Sequence, residues 1–199
     1  MKIILIGASG TLGQAIGRQL GPRHQIVAAG RAGADVQVDI KDPASVRRMY
    51  VQVGVFDAVV CAAGNVHFGT LGEMTPEQFS IGLKDKLMGQ VNLVTEGQHR
   101  IADGGSFTLI SGILSQDPIR GGSSAAMVNA ALDAFVAAAA IDLPRGIRIN
   151  SVSPTVFVES MAVYGPYFSG FKPVPVDDAA LAFAKSVEGA QTGRTYQVV

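Results

Sequence analysis

The stretch Gly7-Ala8-Ser9-Gly10-Thr11-Leu12-Gly13 repeats glycine at every third position, a spacing suited to holding a phosphate. Glycine lets the main chain turn tightly and come close to a ligand. Unpaired N–H groups at the start of a following helix, with the helix dipole behind them, then stabilise negative charge. Gly7, Ser9, Gly10, Thr11 and Leu12 are therefore assigned to the pyrophosphate of a dinucleotide. The spacing is GxxGxxG rather than the GxGxxG of the standard fingerprint, and a plain glycine-bearing strand-to-helix turn is the alternative. No Gly-Lys-Ser/Thr closes the segment, which argues against a nucleotide-triphosphate loop.

A second position bears on which dinucleotide is bound. An acid at the end of the second strand holds the ribose hydroxyls of NAD, and an arginine there pairs with the 2′-phosphate of NADP. The chain has Gly30-Arg31 at that point and no acid. The expectation is NADP, with NAD the less favoured cofactor and a solvated Arg31 as the alternative. Asp39, with Ile40 beside it, is placed to meet the adenine amino group, whereas Asp35 reads as solvated.

Other reactive side chains are weaker candidates. His67 lies near the cleft mouth, His24 and His99 read as surface residues, and Cys61 reads as an inert packed thiol. No metal-ligand spacing occurs.

These residues need a scaffold, and the hydrophobic pattern supplies one. Ile3–Ile6 is a continuous apolar run of the kind buried on both faces of a parallel sheet. Leu12, Ile16 and Leu20 have helical spacing, stopped by Gly21-Pro22. Strands are expected at Gln25–Ala29, Val36–Val38, Ala58–Ala62, Phe107–Ile110, Ile147–Val152 (by alternation) and Thr195–Val199. Helices are expected from Pro43 to about Gln52, from Thr75 to about Ile101, over Ser123–Leu143 and over Asp177–Val187, with a long loop from Pro154 to Pro175. Alternating strands and helices predict a Rossmann-type, doubly wound parallel sheet in three α/β/α layers, as a single domain over 1–199.

Composition narrows the classes. Lys+Arg and Asp+Glu are 16 each among 199 residues, so no nucleic-acid face or polybasic membrane patch is expected. The one cysteine fits a reducing compartment, and a cytoplasmic location is expected. The segment from Ser124 to Leu143 is apolar but carries Asn129, Asp133 and Asp142, so no membrane span is expected.

With these residues in view, the chain resembles the short-chain dehydrogenase/reductase family along nearly its whole length. The glycine turn matches the family's GxxGxxG variant. Cys61-Ala62-Ala63-Gly64 stands where the family has Asn-Asn-Ala-Gly. Ile147 to Pro154 resembles its sixth strand, with Thr155 in place of a glycine, and Thr192-Gly193-Arg194-Thr195 resembles the entry to its last strand. The resemblance implies that Ala62, Ala63, Gly64, Pro154, Thr155 and Val156 also border the cofactor.

The family's catalytic group is Tyr-x-x-x-Lys on the fifth helix, a Ser after the fifth strand and an Asn in the fourth helix. Aligned on Asn129 to Phe135, this chain has Ala125 at the Tyr position and Asn129 at the Lys position. The Ser position falls on Gly112, just after Ser111, and the Asn position falls on Lys86. The resemblance thereby implies two replacements: Lys86 is either an acid whose pKa falls in a dry cleft or a solvated helix lysine beside Asp85, and Ser111 either donates to a substrate carbonyl or merely ends a strand. Tyr164 and Tyr167, in the loop expected to cover the substrate, are either replacement donors or packing residues.

Two functions follow. The first is an NADP-dependent oxidoreductase on a small, apolar carbonyl or alcohol, using nonstandard residues. The second is an NADP(H)-binding sensor or partner-binding protein with little turnover. The alanine-rich helix is apolar nearly all round and must be covered on more than one side. With the helix pairing the resemblance implies, a homodimer or homotetramer is expected.

Overall fold

The computed structural model describes residues 1–199. Seven strands form one sheet: β1 (Lys2–Ile6), β2 (Gln25–Gly30), β3 (Val36–Gln37), β4 (Phe56–Cys61), β5 (Ile101–Ile110), β6 (Arg148–Pro154) and β7 (Arg194–Val198). Their order is β3-β2-β1-β4-β5-β6-β7, and every neighbouring pair is parallel. The helices are α1 (Thr11–Leu20), α2 (Pro43–Val53), α3 (Pro76–Gly82), α4 (Met88–Gly97), α5 (Ser123–Asp142), α6 (Met161–Tyr164) and α7 (Val176–Glu188). This is the expected doubly wound Rossmann-type sheet.

The two-residue period of a strand explains why the apolar runs are unbroken. Along β1, Ile4 and Ile6 join the core beneath α2, α4 and α5, while Ile3 and Leu5 join the core beneath α1 and α7. Val59 and Cys61 on β4 take the first side, and Ala58 and Val60 the second. With helices on both faces, neither side of a central strand tolerates water.

Three expectations need correction. The helix expected to run from Thr75 to Ile101 is interrupted by a π-helical turn at Leu83–Leu87 and ends at Gly97. There a Cβ would fall 2.8 Å from the Tyr50 hydroxyl, so close packing on α2 requires glycine. β5 then begins at Ile101 instead of Phe107. Its Gly104-Gly105 pair, poor in strand propensity, masked the extra residues.

β6 is the strand expected from alternation, and residues 149–154 are all buried. Its polar side chains are inside because they are bonded there. Asn150 Nδ2 donates to Ser186 Oγ at 3.1 Å, and Ser151 Oγ donates to Asp133 Oδ1 at 2.8 Å. The covering loop, finally, is not irregular throughout. It contains 3₁₀ turns at Val158–Ser160 and Gly165–Tyr167, on either side of α6.

α5 is long and apolar enough to cross a membrane by length and composition alone. Its polar residues assign it to the fold. Asn129 accepts from Lys86 on the π-helical turn, and Asp133 accepts from Ser115 after β5 and from Ser151 on β6.

Candidate functional site

The three glycines of the turn between β1 and α1 lack side chains for different reasons. Gly7 has φ +80°, and a Cβ there would meet the Ala62 carbonyl oxygen at 3.0 Å. Gly13 seats α1 on the turn: its Cβ would fall 2.1 Å from the Gly7 carbonyl oxygen. Gly10 is different. Its nearest protein atom would be 3.5 Å away, an ordinary contact. Nothing inside the protein demands glycine there, so its bareness leaves room for something outside it.

That room lies at the start of α1, where Gly10 is the N-cap and offers no side chain to the first-turn N–H groups. The first turn also holds no acid that would repel an anion. A dinucleotide pyrophosphate fits this seat in charge, donors and space. Gly7 and Ser9 line the cleft beside it, together with Gly30, Arg31, Asp39, Ile40, Ala63 and Gly64, around about 350 Å³. Leu12, whose main chain belongs to the seat, packs its side chain into the core beneath α7, and Thr11 is exposed. Ala62 packs at the edge of that same core.

At the adenosine end Arg31 is exposed and borders a second hollow, shared with Gln37, Ser45 and Arg48. Arg48 comes from α2 and is held by Asp42 at 3.4 Å. Sequence reasoning missed it, because only the fold brings residue 48 beside residue 31. Asp39 borders both hollows and accepts the Lys41 N–H at 3.0 Å. Asp35 is not merely solvated. Its carboxylate accepts the Ala28 N–H at 2.9 Å, just below the point where the two-residue β3 begins to pair with β2.

Lys86 sits on the π-helical turn, a feature that often marks functional sites. Its Nζ donates to the Ser111 carbonyl oxygen at 2.7 Å and to Asn129 Oδ1 at 2.6 Å. The reading of Lys86 as a solvated lysine fails, since the residue is half-buried and its ammonium is bonded to two protein oxygens. Burial pulls its pKa down to about 8. Asp85 pairs with Asn65 instead, through its N–H at 2.9 Å and its Nδ2 at 3.2 Å. Gly64 closes over the lysine stem, where a Cβ would meet Lys86 Cγ at 2.6 Å. Gln90 fixes the segment by bonding both the Ile110 N–H (2.8 Å) and the Ile110 carbonyl (2.9 Å).

Ser111 is 3% exposed, and its hydroxyl lies 3.4 Å from the Val152 carbonyl oxygen. It contributes its main-chain oxygen to Lys86 rather than a free hydroxyl to the cleft. The Cys61 thiol is buried, and burial pushes it up to about 12, so it stays protonated. His24 is less superficial than expected: its ring bonds Glu188 at 2.8 Å with 11% of the side chain exposed.

The family model described as enoyl-(acyl carrier protein) reductase matches residues 15–188. The chain belongs to the short-chain dehydrogenase/reductase family. Among solved structures, the protein lin1944 from Listeria innocua is 52% identical over 100% of both chains, with a TM-score of 0.98. Versicolorin reductase 1 of Aspergillus parasiticus is 28% identical over 79% of this chain and 64% of its own length. An uncharacterised NAD-dependent oxidoreductase of Mycobacterium tuberculosis is 29% identical over 86% and 69% respectively. The chain thus spans about two thirds of the length of these two curated relatives.

On the alignment the resemblance implies, Lys86 of this short-chain dehydrogenase/reductase stands at the family's Asn position and Asn129 at its Lys position, and the two side chains meet at 2.6 Å. Gly112, which that alignment sets at the Ser position, makes room for the Asn129 amide, since a Cβ there would fall 2.9 Å from Nδ2. Ala125, which it sets at the Tyr position, is 3% exposed and has no proton to give. The covering segment of this short-chain dehydrogenase/reductase forms a separate apolar hollow. Thr155 and Val156 lie there beside Phe68 and Tyr164, and Pro154 ends β6 just before them.

Proposed function

We propose that this protein is an NADP(H)-dependent reductase of a small apolar carbonyl compound in which the Lys86 ammonium is the proton donor. The observation that carries the reading is the enclosed ammonium. It sits under Gly64, which lines the cleft continuing from the pyrophosphate seat, and it bonds two fixed oxygens with one N–H to spare. The seat at Gly7, Gly10 and the first turn of α1 would hold a reduced nicotinamide dinucleotide, which would supply the hydride. Lys86 gives its proton to the developing alkoxide and is left as a neutral amine, which regains a proton from water. A pKa near 8 keeps the ammonium form dominant at neutral pH while making its proton easier to release than an ordinary lysine's. Ser111 and Asn129 orient it.

Arg31 and Arg48 support NADP over NAD, since both border one hollow at the adenosine end, where Arg48 is paired only with the half-exposed Asp42 at 3.4 Å. Calorimetry with both nucleotides tests this. Replacing both arginines by alanine is expected to weaken NADPH binding about 100-fold, roughly tenfold per charge-assisted contact, with NADH changed less than threefold. Equal losses for the two nucleotides would remove the 2′-phosphate assignment. NADPH oxidation against a panel of carbonyl compounds tests the activity. Ala125 is the observation favouring a binding protein without turnover, and tight NADPH binding with no oxidation across the panel would decide for that role.

The proposal includes a reducing, cytoplasmic setting and a homodimer or homotetramer. Met127, Ala130, Ala134, Ala137 and Ile141 are all exposed on α5 at three- and four-residue spacing, an apolar stripe narrow enough for close helix pairing. Light scattering is expected to give at least twice 20.7 kDa. Ala134→Arg, exposed in the single chain, is expected to give folded monomer. A wild-type monomer would end this part of the proposal.

A further inference from the structure

We propose that Asp133 is a positioning residue for Lys86, a carboxylate fixed by hydroxyls from two other elements so that its charge holds the Lys86 side chain in its ammonium form. The inference rests on the proposed reductase activity, for which it adds a residue that governs the proton donor. Asn129 and Asp133 are four residues apart on α5, so their side chains share one face of the helix, with Cβ atoms about 5–6 Å apart. Lys86 Nζ donates to Asn129 Oδ1, which sets the carboxylate one turn along the helix from the ammonium's own acceptor. The carboxylate is half-buried and held on both oxygens. Ser151 Oγ on β6 donates to Oδ1 at 2.8 Å, and Thr195 Oγ1 on β7 lies 2.9 Å from that same hydroxyl. The Ser115 hydroxyl lies 3.1 Å from Oδ2 and 3.2 Å from the Gly112 carbonyl oxygen, so its one proton is shared between them. Asp133 thereby ties α5 to the segment after β5 that carries Ser111, the other acceptor of Lys86.

Two hydroxyls would bond a neutral amide oxygen as well as a carboxylate, and partial burial of a charge costs free energy unless another charge answers it. The ammonium nearby gives the charge its use. Around Lys86 the other elements offer no competing acid. α3 ends in Phe79-Ser80-Ile81-Gly82 and α4 begins Met88-Gly89-Gln90, all uncharged. β4 brings Cys61, whose thiol stays protonated because burial pushes it up to about 12. The loop after β4 brings Gly64 and Asn65, with His67 beside Gly69 instead. On the π-helical turn itself Asp85 is bonded to Asn65, and Lys84 is exposed. Asp133 opposes the effect of burial on Lys86. It does so without contact, since Nζ gives its bonds to Ser111 and Asn129.

The test is a pH titration of the full chain, without nucleotide, by NMR of lysine side chains isotope-labelled at Cε. The Lys86 signal is the one lost in Lys86→Met. Removing a negative charge disfavours the ammonium, so Asp133→Asn, nearly isosteric, is expected to move the Lys86 midpoint from about 8 to about 7. Asp133→Ser, smaller and uncharged, is expected to give the same fall and serves if the first variant does not fold. Asp133→Glu is expected to bring the midpoint back toward the wild-type value. An unchanged or raised midpoint in a folded, uncharged variant would overturn the inference and leave Asp133 as a brace between α5 and the sheet. Wherever turnover is found, the falling alkaline limb is expected to move to lower pH with the midpoint. The titration needs no turnover. A lowered midpoint with no NADPH oxidation across the carbonyl panel would uphold the hold of Asp133 on Lys86 while rejecting the reductase reading.

Discussion

Lys86→Met is expected to lower carbonyl reduction by about 10²–10⁴-fold, the usual worth of a positioned proton donor, while NADPH affinity changes little. Methionine keeps the packing of the stem beneath Gly64 and removes only the charge and its protons. The pH dependence gives a second reading of the same group. The donor is the ammonium form, and its pKa is lowered to about 8 by burial. The rate is therefore expected to be level below that pH and to fall as pH rises through it, and the falling limb is expected to vanish in Lys86→Met. Stability moves the other way. Between about pH 8 and the ordinary lysine value of 10.5, the unfolded chain binds a proton that the native chain has lost, so this group's contribution to stability rises with pH across that window.

The Lys86–Asn129 pair adds a control that mere loss of charge cannot mimic. Lys86→Met leaves the Ser111 carbonyl and Asn129 Oδ1 without a donor, at a cost of about 1–3 kcal/mol. The exchange Lys86→Asn with Asn129→Lys keeps an amide facing an ammonium across the same 2.6 Å contact. It is expected to recover most of that stability but not the activity, because the proton now comes from α5 while Ala125 still supplies none. Equal activity in the wild type and Lys86→Met, with the alkaline limb intact, would remove Lys86 as the donor.

How far the site could be read from sequence depended on how local its physics is. The glycine turn was legible because it is a main-chain device within seven consecutive residues, between an apolar run and a helical pattern. Arg31 was legible because its meaning comes from its place at a strand end. Arg48 was not, since α2 must fold back before it meets Arg31 across one hollow. The places of Lys86 and Asn129 could be read from an alignment, but the bond between residues 43 positions apart could not. Nor could the π-helical turn, because its extra backbone residue leaves no mark in residue type. Thr155 looked like a simple replacement of a glycine, and its unpaired hydroxyl emerged only when every neighbouring donor and acceptor was in place.

The glycine turn supports the other large prediction, which separates the fold from the cofactor. Gly13→Ala would ordinarily gain about 1 kcal/mol of helix propensity. Here the new Cβ would stand 2.1 Å from the Gly7 carbonyl oxygen and 2.8 Å from Ala8 Cα, both main-chain atoms that cannot rotate away. The first turn of α1 must lift off β1, so a net loss of about 3 kcal/mol is expected, read as a fall in Tm of about 6–12 °C for a chain of this size. NADPH affinity is expected to fall more than 100-fold, because the same shift moves the N–H groups of the seat. Gly10→Ala has the opposite signature. Its Cβ would meet nothing closer than 3.5 Å, so Tm is expected to stay within about 2 °C, with only the small penalty of alanine at an N-cap. The methyl would nevertheless occupy the space where a diphosphate must approach the first-turn amides, and NADPH binding is expected to drop at least tenfold. A Gly10→Ala protein that folds and binds NADPH like the wild type would mean that the open space beside Gly10 is not the diphosphate seat, and the cofactor reading would lose its physical basis.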